Sequence, residues 1–500
     1  MTQPDEITVL ANRCLLPGLP GPVLDDLTRR WLDDGLGGLV LFAGNVVSPE
    51  QLALLTADLH TAGDDVLVAA DEEGGDVTRL HHTTGSTTPG NLSLGAVDNL
   101  LLTREVARTI GHDLRAVGID WALAPDVDVN TNPANPVIGT RAFSDDPDAV
   151  ARHGAAFLAG LHDAGVLGCA KHFPGHGDTH VDSHFALPRV EGDLEPHLVP
   201  FRAAIAAGVD AILTAHIVFP DLDDVPATMS RRIVTGLLRE ELGFAGLVVT
   251  DSMSMQAVAA TFGVGPASVS ALAAGVDMIC VNADPPTQLA IRDALVAAVR
   301  SGELSADRLA EAAGRVLTLA RSGVGRVAAA EAASAIARAG SSGRTDHGTG
   351  AGRRAADAGL LVAGVSLPLP QAPFMVELAG PRRGVDSEAG SLLAAVRRRQ
   401  PEADGVSLRG VGDTDRPTPD AIREAVAAAG TAPLVVVVRD GQRSITQTEA
   451  VNLLRTLRPD LILVGVGATY DRSLAGTGGY LGTRGAAAAN LDAAARALVG

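Results

Sequence analysis

The sequence has few cysteines, and they are widely spaced. Its 500 residues contain Cys14, Cys169 and Cys280, and none of these belongs to a CxxC pair. Such scattered thiols exclude a disulfide framework and fit a reducing compartment such as the cytoplasm. Because Cys169 and Cys280 lie in apolar, strand-like runs, we expect buried thiols there rather than nucleophiles.

Basic side chains are in the minority. Lys and Arg number 40 against 59 Asp and Glu, which gives a formal net charge of −19 and an isoelectric point near 5.0. The average field of such a chain repels phosphate backbones and anionic lipid. We therefore expect no nucleic-acid partner and no membrane partner.

Long hydrophobic segments are also missing. Residues 1–21 have no basic region followed by an apolar run of signal-peptide length, and no later stretch reaches the roughly 18 uninterrupted apolar residues of a membrane span. The sequence thus predicts neither export nor membrane insertion. It predicts a cytoplasmic location. It does contain 46% hydrophobic residues at a mean hydropathy of +0.20, which favours packed cores over disorder.

The chain is longer than one hydrophobic core usually organises, so its length favours two domains, or one large barrel with an appendage. Between residues 36 and 282, short apolar runs that end in a polar residue alternate with stretches of helical periodicity. This alternation is typical of strands followed by helices in a parallel sheet. The predicted strands lie at 37–45, 66–73, 118–128, 168–176, 209–216, 246–254 and 276–282.

Polar residues are concentrated where these strands end. They are Asp71, Glu73, Asp126, Asp128, His172, His216 and Asp251. In a (β/α)₈ barrel the carboxyl ends of the strands form the active-site face. A doubly wound open sheet also binds ligands at strand ends, but only at one switch point. We therefore predict an α/β fold with a (β/α)₈ TIM-like barrel, although only seven strands are evident.

A second domain follows a change of composition near residue 322. Residues 325–354 are rich in Ala and then in Gly and Ser, which predicts a linker between a barrel at 1–324 and a domain at 355–500. Strand-like and helical patterns alternate in the second domain, so we predict a smaller three-layer α/β sandwich. Its glycine-rich stretches at 464–471 and 474–482 lack P-loop and dinucleotide spacing, and we interpret them as turns.

The densest polar cluster is KHFPGHGDTHVDSH, at 171–184. Proline and closely spaced glycines make this segment a shaped loop rather than a helix. His172, His176, His180 and His184 invite a metal site, but the loop cannot stack them on one helical face and no HExxH motif is present. The alternative is a solvated polar loop that has no catalytic or ligand-binding role.

Three further clusters follow strands. Asp251 in TDSMSM (250–255) is a candidate nucleophile, and it is equally a candidate N-cap for the next helix. ADEEGGDVTRL (70–80) and IGTRAF (138–143) place carboxylates and arginines at the barrel rim. There they can hydrogen-bond vicinal hydroxyls or an amide of a ligand, or form structural ion pairs.

Together these segments resemble the bacterial β-N-acetylglucosaminidases of glycoside hydrolase family 3, over about residues 34–320. KHFPGHGDTHVDSHFALP (171–188) is similar to the signature loop of that family. Further similar segments follow in the same order as in the family: ADEEGGDVTRL, GNLSLG (90–95), GHDLRAVGIDWALAPDVDV (111–129), IGTRAFSDDP (138–147) and TDSMSM.

The resemblance implies a role for individual residues. Asp251 matches the catalytic nucleophile, and His184 matches the acid/base, oriented by Asp182. The residues that match those holding the terminal sugar are Asp71, Arg79, Arg141, Lys171 and His172. One departure is Asp76, where the family usually carries Arg, which leaves the charge balance beside the sugar pocket open. The C-terminal unit is similar to the α/β sandwich of the family.

The implied function is that of a retaining glycoside hydrolase that removes terminal β-linked N-acetylglucosamine through a glycosyl-aspartate. A histidine whose pKa lies near the working pH can donate a proton in one step and accept one in the next. The expected partner is a small carbohydrate, with no cofactor and no metal, and the protein is expected to be a monomer or homodimer. Phosphorolysis at the same site, a metal-dependent barrel hydrolase and a sugar-binding protein without catalysis remain alternatives.

Overall fold

The computed structural model describes residues 4–63, 65–181, 186–322, 350–378, 390–408 and 417–500. Asp182 and His184 lie outside the described residues, as does most of the predicted linker. The chain divides into two compact units: the first takes in Met1–Glu73, Thr103–Ile138 and Ser144–Gly348, and the second Gly74–Leu102, Gly139–Phe143 and Thr349–Gly500. The second unit thus includes two segments from the range predicted for the barrel.

Eight short parallel strands occur among the described residues of the first unit. They are β1 (Leu15–Pro17), β2 (Gly38–Leu41), β3 (Leu67–Ala70), β4 (Trp121–Ala122), β5 (Cys169–Phe173), β6 (Ala211–Thr214), β7 (Leu247–Thr250) and β8 (Ile279–Val281). Parallel ladders join β2-β3-β4, β5-β6-β7 and β1-β8. Parallel bridges at Gly18–Val40, Trp121–Leu167 and Val249–Met278 complete the ring. The predicted (β/α)₈ barrel is confirmed, and β1 is the strand that was not predicted.

Helices connect these strands and begin where the sequence supplies caps. The Ser48 side chain accepts from the backbone N–H of Gln51, and Asp146 accepts from that of Asp148. The helices are Glu6–Arg13, Asp26–Asp33, Pro49–Ala62, Leu100–Ala116, Pro147–Asp163, Glu195–Ala206, the π-helix Arg232–Glu241, Gln256–Phe262, Val264–Ala274, Pro285–Ser301 and Ala306–Arg321.

One continuous apolar cluster takes side chains from all eight barrel strands. Cys169 and Cys280 belong to it, and burial raises the pKa of both thiols and of Cys14. The prediction of buried thiols is therefore confirmed. No single helix of the described chain is long and apolar enough to cross a membrane. Helices Gln256–Phe262 and Val264–Ala274, bent by 104° at their junction, reach that length and composition only as a pair.

The second unit is built on a six-stranded sheet. Its strands are β9 (Leu361–Ala363), β10 (Phe374–Leu378), β11 (Asp404–Leu408), β12 (Leu434–Val438), β13 (Ile462–Gly465) and β14 (Gly479–Gly482), in the order β11-β10-β12-β13-β14-β9, with only β9 antiparallel to its neighbour. The helices are Asn91–Val97, Ala351–Ala358, Leu392–Arg397, Pro419–Ala429, Ile445–Leu457 and Ala488–Val499.

Alternate side chains of this sheet enter two separate cores. Val436 packs in one core with Leu454, and Val435 packs in the other with Leu498. Helices therefore cover both faces, and the predicted three-layer sandwich is confirmed. The interpretation of 474–482 as turns was wrong at its end, because Gly479–Gly482 pairs with β13 and with β9.

Candidate active site

A buried lysine joins two strands at the carboxyl end of the barrel. Lys171 lies on β5, and its side chain is 2% exposed. Its Nζ atom is 2.7 Å from Oδ1 of Asp71, just after β3, and 2.6 Å from Oε1 of Glu73. The Asp71 side chain is 21% exposed and that of Glu73 is 3% exposed, so Asp71 is the carboxylate of the pair that a ligand can reach.

His172 is oriented by a buried carboxylate. Its Nδ1 donates to Oδ2 of Asp128 at 2.7 Å, and Oδ1 of Asp128 accepts from the backbone N–H of His176 at 2.6 Å. Asp128 thus fixes both a predicted sugar-binding ring and the loop that follows it. The sequence analysis placed Asp128 at a strand end but gave it no role. The signal available there was a second carboxylate two residues after Asp126.

The histidine-rich loop is held by backbone and side-chain contacts up to Thr179. At Gly177 a Cβ atom would lie 1.7 Å from the carbonyl oxygen of Val129, so only glycine fits. Asn135 donates to the carbonyl oxygen of His176 at 2.7 Å, and the ring of His176 bonds Oγ1 of Thr179 at 2.9 Å. The loop is therefore held by specific contacts up to Thr179.

The same region contains a group that could hold a metal ion. Asp126, Asp128 and His172 offer ligand atoms that all lie within 4.8 Å of one another, and all three residues are buried. Carboxylate oxygens and an imidazole nitrogen are ligands that zinc and other divalent ions accept. In the structure, however, His172 uses Nδ1 for the hydrogen bond to Asp128.

Asp251 directly follows β7 and is half-buried. Its Oδ1 accepts from the backbone N–H of Ser252 at 2.7 Å, and its own N–H donates to the carbonyl oxygen of Thr214 on β6 at 3.2 Å. The next helix begins at Gln256, with Met255 in the N-cap position. The interpretation of Asp251 as an N-cap was therefore wrong, since the carboxylate lies too early in the chain.

The two predicted arginines belong to the second unit. Arg141 ends the short turn Gly139–Arg141, and its carbonyl oxygen accepts from Asn91 at 2.7 Å. Arg79 is also buried, and its carbonyl oxygen bonds the ring of His82 at 3.1 Å. Asp71, Lys171, His172 and Asp251 all belong to the first unit. The roles of Asp182 and His184 remain predictions, because these residues lie outside the described part of the chain.

Asp76, the departure from the family pattern, is buried inside the second unit. Its Oδ2 accepts from Arg439 at 3.2 Å and from Oγ1 of Thr140 at 3.0 Å, and its Oδ1 accepts from the backbone N–H of Ala486 at 2.7 Å. The negative charge that replaces the usual arginine is thus compensated by another arginine of the same unit.

The chain matches a known protein family over most of the barrel range. The N-terminal domain of glycosyl hydrolase family 3 matches residues 24–319. The chain belongs to glycoside hydrolase family 3. The resemblance inferred from the motifs is thereby confirmed.

Individual relatives cover different parts of the chain. β-Hexosaminidase A of Pseudoalteromonas piscicida is 40% identical over 292 residues, which cover 53% of this chain and 48% of that protein, so the match spans about half of its length. A β-hexosaminidase of Thiobacillus denitrificans is 40% identical over 273 residues, 52% of this chain and 75% of that protein. The solved glycoside hydrolase family 3 β-N-acetylglucosaminidase of Paenibacillus sp. superposes with a TM-score of 0.87 at 33% identity, covering 99% of this chain and 97% of that one.

Proposed function

We propose that this family 3 protein is a retaining β-N-acetylhexosaminidase that removes terminal β-linked N-acetylglucosamine. The observation that carries the proposal is the grouping of Asp71, Lys171, His172 and Asp251 at the carboxyl ends of three strands of one barrel. These are the positions at which the family resemblance expects the sugar-holding groups and the nucleophile. Two relatives named β-hexosaminidase support the same reaction.

In the first step, a carboxylate oxygen of Asp251 forms a bond to the anomeric carbon as the bond to the aglycone oxygen breaks. The leaving oxygen takes a proton from the imidazolium of His184, so that no alkoxide is expelled. Asp182 stabilises the imidazolium before this transfer. The product is a glycosyl ester on Asp251.

In the second step, the neutral imidazole of His184 takes a proton from water as the water oxygen attacks the anomeric carbon. The ester bond to Asp251 breaks and its carboxylate is restored. Two displacements at one carbon retain its configuration. One histidine serves both steps because its ordinary pKa lies close to neutral pH.

The sugar is positioned by charged groups that are fixed before it arrives. Lys171 and His172 are each held by a carboxylate, and Asp71 is a partly exposed acceptor for a hydroxyl. For Arg79 and Arg141, a sugar-binding role is proposed from the family resemblance alone. Such preorganised hydrogen bonds orient the ring for attack. We further propose a cytoplasmic monomer or homodimer that needs no metal.

The direct test compares Asp251→Asn with Asp145→Asn, a change at an exposed aspartate of the same unit. With p-nitrophenyl β-N-acetylglucosaminide, loss of the nucleophile should lower kcat by at least about 10⁴-fold. Asp145→Asn should retain the wild-type rate, and the α-anomeric glycoside should not be cleaved. Wild-type-like activity of Asp251→Asn would refute the proposal.

The alternatives predict different products or requirements. Hydrolysis should continue in EDTA, and with phosphate present the released sugar should still be N-acetylglucosamine. Loss of activity in EDTA that zinc restores would indicate a metal-dependent hydrolase. N-acetylglucosamine 1-phosphate as the main product would indicate a phosphorylase, and sugar binding without turnover would indicate a binding protein.

A further inference from the structure

One buried histidine of the barrel contacts the segment of the proposed nucleophile but has no part in the steps above. His216 lies two residues beyond the end of β6. Its Nδ1 is 2.9 Å from Oγ1 of Thr228, and its Nε2 is 3.1 Å from the carbonyl oxygen of Ser252. Because Ser252 directly follows Asp251, the ring links the β6 loop to the residue beside the nucleophile.

The direction of one of these hydrogen bonds follows from the chemistry of the partners. A carbonyl oxygen can only accept, so Nε2 carries a proton that it donates to Ser252. The hydroxyl of Thr228 also lies 2.9 Å from the carbonyl oxygen of Ala215. Depending on where that hydroxyl proton goes, Nδ1 donates to Oγ1 of Thr228 or accepts from it. The bond from Nε2 to Ser252 is present in both arrangements.

Ser252 in turn fixes the carboxylate of Asp251. Its backbone N–H donates to Oδ1 of Asp251 at 2.7 Å, and its own hydroxyl accepts from the N–H of Asn282 at 3.0 Å, just after β8. The N–H of Met253 donates to the carbonyl oxygen of Cys280 on β8 at 2.9 Å. The segment is thus anchored on the β8 side by these bonds, and on the β6 side by the ring of His216.

We propose that His216 is a positioning residue that sets the direction of the Asp251 carboxylate through Ser252. The proposal rests on the proposed role of Asp251. A change in the backbone angles of Ser252 would displace Oδ1, and a misplacement of about 1 Å can cost about 10²-fold in rate. The loss should appear in kcat, since His216 acts through Ser252 rather than on the groups proposed to hold the sugar.

The test compares His216→Leu with His216→Gln, whose amide can still donate to a carbonyl oxygen. We expect kcat to fall about 10–100-fold for the leucine variant and about tenfold or less for the glutamine variant, with KM within about threefold of wild type. His60→Leu is the matched control. The Nε2 atom of His60 also donates to a backbone carbonyl oxygen, that of Gly118 at 3.0 Å, before β4 begins. The kcat of the His60→Leu variant should not change.

A series of aryl glycosides with leaving groups of different pKa separates nucleophile positioning from damage to the acid/base. Misdirection of Asp251 should lower kcat/KM by a similar factor for good and poor leaving groups. Damage to proton donation would lower it most for poor leaving groups. The inhibition constant of N-acetylglucosamine should remain that of wild type. A kcat within twofold of wild type for His216→Leu, a loss confined to KM, or a defect that grows with the pKa of the leaving group would overturn the proposal.

If His216→Leu does not fold, Thr228→Val replaces it, because this change removes the hydroxyl that fixes Nδ1. The expected decrease in kcat is then about 3–10-fold with KM unchanged, and an unchanged kcat would overturn the proposal. Failure here is distinct from failure of the proposed function. Only in the latter case would Asp251→Asn remain active.

Discussion

Asp71 and Lys171 form an ion pair at the carboxyl end of the barrel, with Oδ1 and Nζ 2.7 Å apart. Glu73 lies equally close to the same ammonium group. A buried lysine needs a counter-ion, because an uncompensated charge in the interior is costly. Since Glu73 supplies one, Asp71 can turn toward a sugar hydroxyl while Lys171 stays paired.

This arrangement predicts different effects for the two partners. Lys171→Met leaves two carboxylates without their shared cation and should lower the free energy of unfolding by about 3–5 kcal/mol. Asp71→Asn leaves the Glu73 pair intact, so it should mainly raise KM, by about tenfold or more. Urea unfolding and steady-state kinetics measure both quantities. If Lys171→Met were as stable as the wild type, this account of the ion pair would be wrong.

Asp128→Asn should weaken catalysis, although we do not expect Asp128 itself to contact the substrate. The asparagine amide places a donor opposite the donating Nδ1 of His172 or the N–H of His176, so one of these groups loses its acceptor. We expect kcat/KM to fall about 10–100-fold, with Asp145→Asn as the unaffected control. Equal rates for the two variants would show that His172 does not depend on Asp128.

Asp277→Asn should affect stability alone. Asp277 is buried before β8 begins, at the amino end of the barrel, and accepts from Arg239 at 2.5 Å, Arg308 at 2.8 Å and Arg315 at 3.0 Å. Loss of its charge should reduce the free energy of unfolding by about 3–5 kcal/mol and leave kcat unchanged. Asp163→Asn, which breaks a partly exposed pair with Arg104, should have a much smaller effect in the same urea titration.

Stability should also depend on pH through one buried acid of the second unit. Burial raises the pKa of Asp471 from 3.8 to about 7. Between these values the folded state binds more protons than the unfolded state, so the free energy of unfolding should fall as pH rises from about 4 to 7. Asp471→Asn should flatten this part of the profile in urea titrations at a series of pH values, whereas Asp492→Asn at the surface should not. An unchanged slope would mean that Asp471 is not the titrating group.

The regular elements could be predicted because their signals are local. Seven barrel strands follow from apolar runs, and the helices that begin at Pro49 and Pro147 follow the capping residues Ser48 and Asp146. Three short strands were not predicted: β9, and two strands whose residues resemble turns. β1 is three residues long and ends in Pro17, and β14 begins and ends with glycine. Both become strands through pairing with distant partners, which no local pattern reports.

The site could be predicted only where a motif places one residue directly on a strand end. Lys171, His172 and Asp251 are such residues. The supporting roles of Asp128 and His216 depend on which loops meet after folding, over separations of 44 and 36 residues from their partners His172 and Ser252. The assignment of Arg79 and Arg141 to the second unit likewise follows from contacts distant in sequence.

The discontinuous second unit has a consequence for synthesis of the chain. The carboxylate of Asp76 accepts from the backbone N–H of Ala486, which is synthesised 410 residues later. At about 5–20 residues per second, roughly 20–80 s pass between the emergence of the two from the ribosome. Arg439 follows Asp76 by 363 residues, so Asp76 lacks both partners for most of this interval.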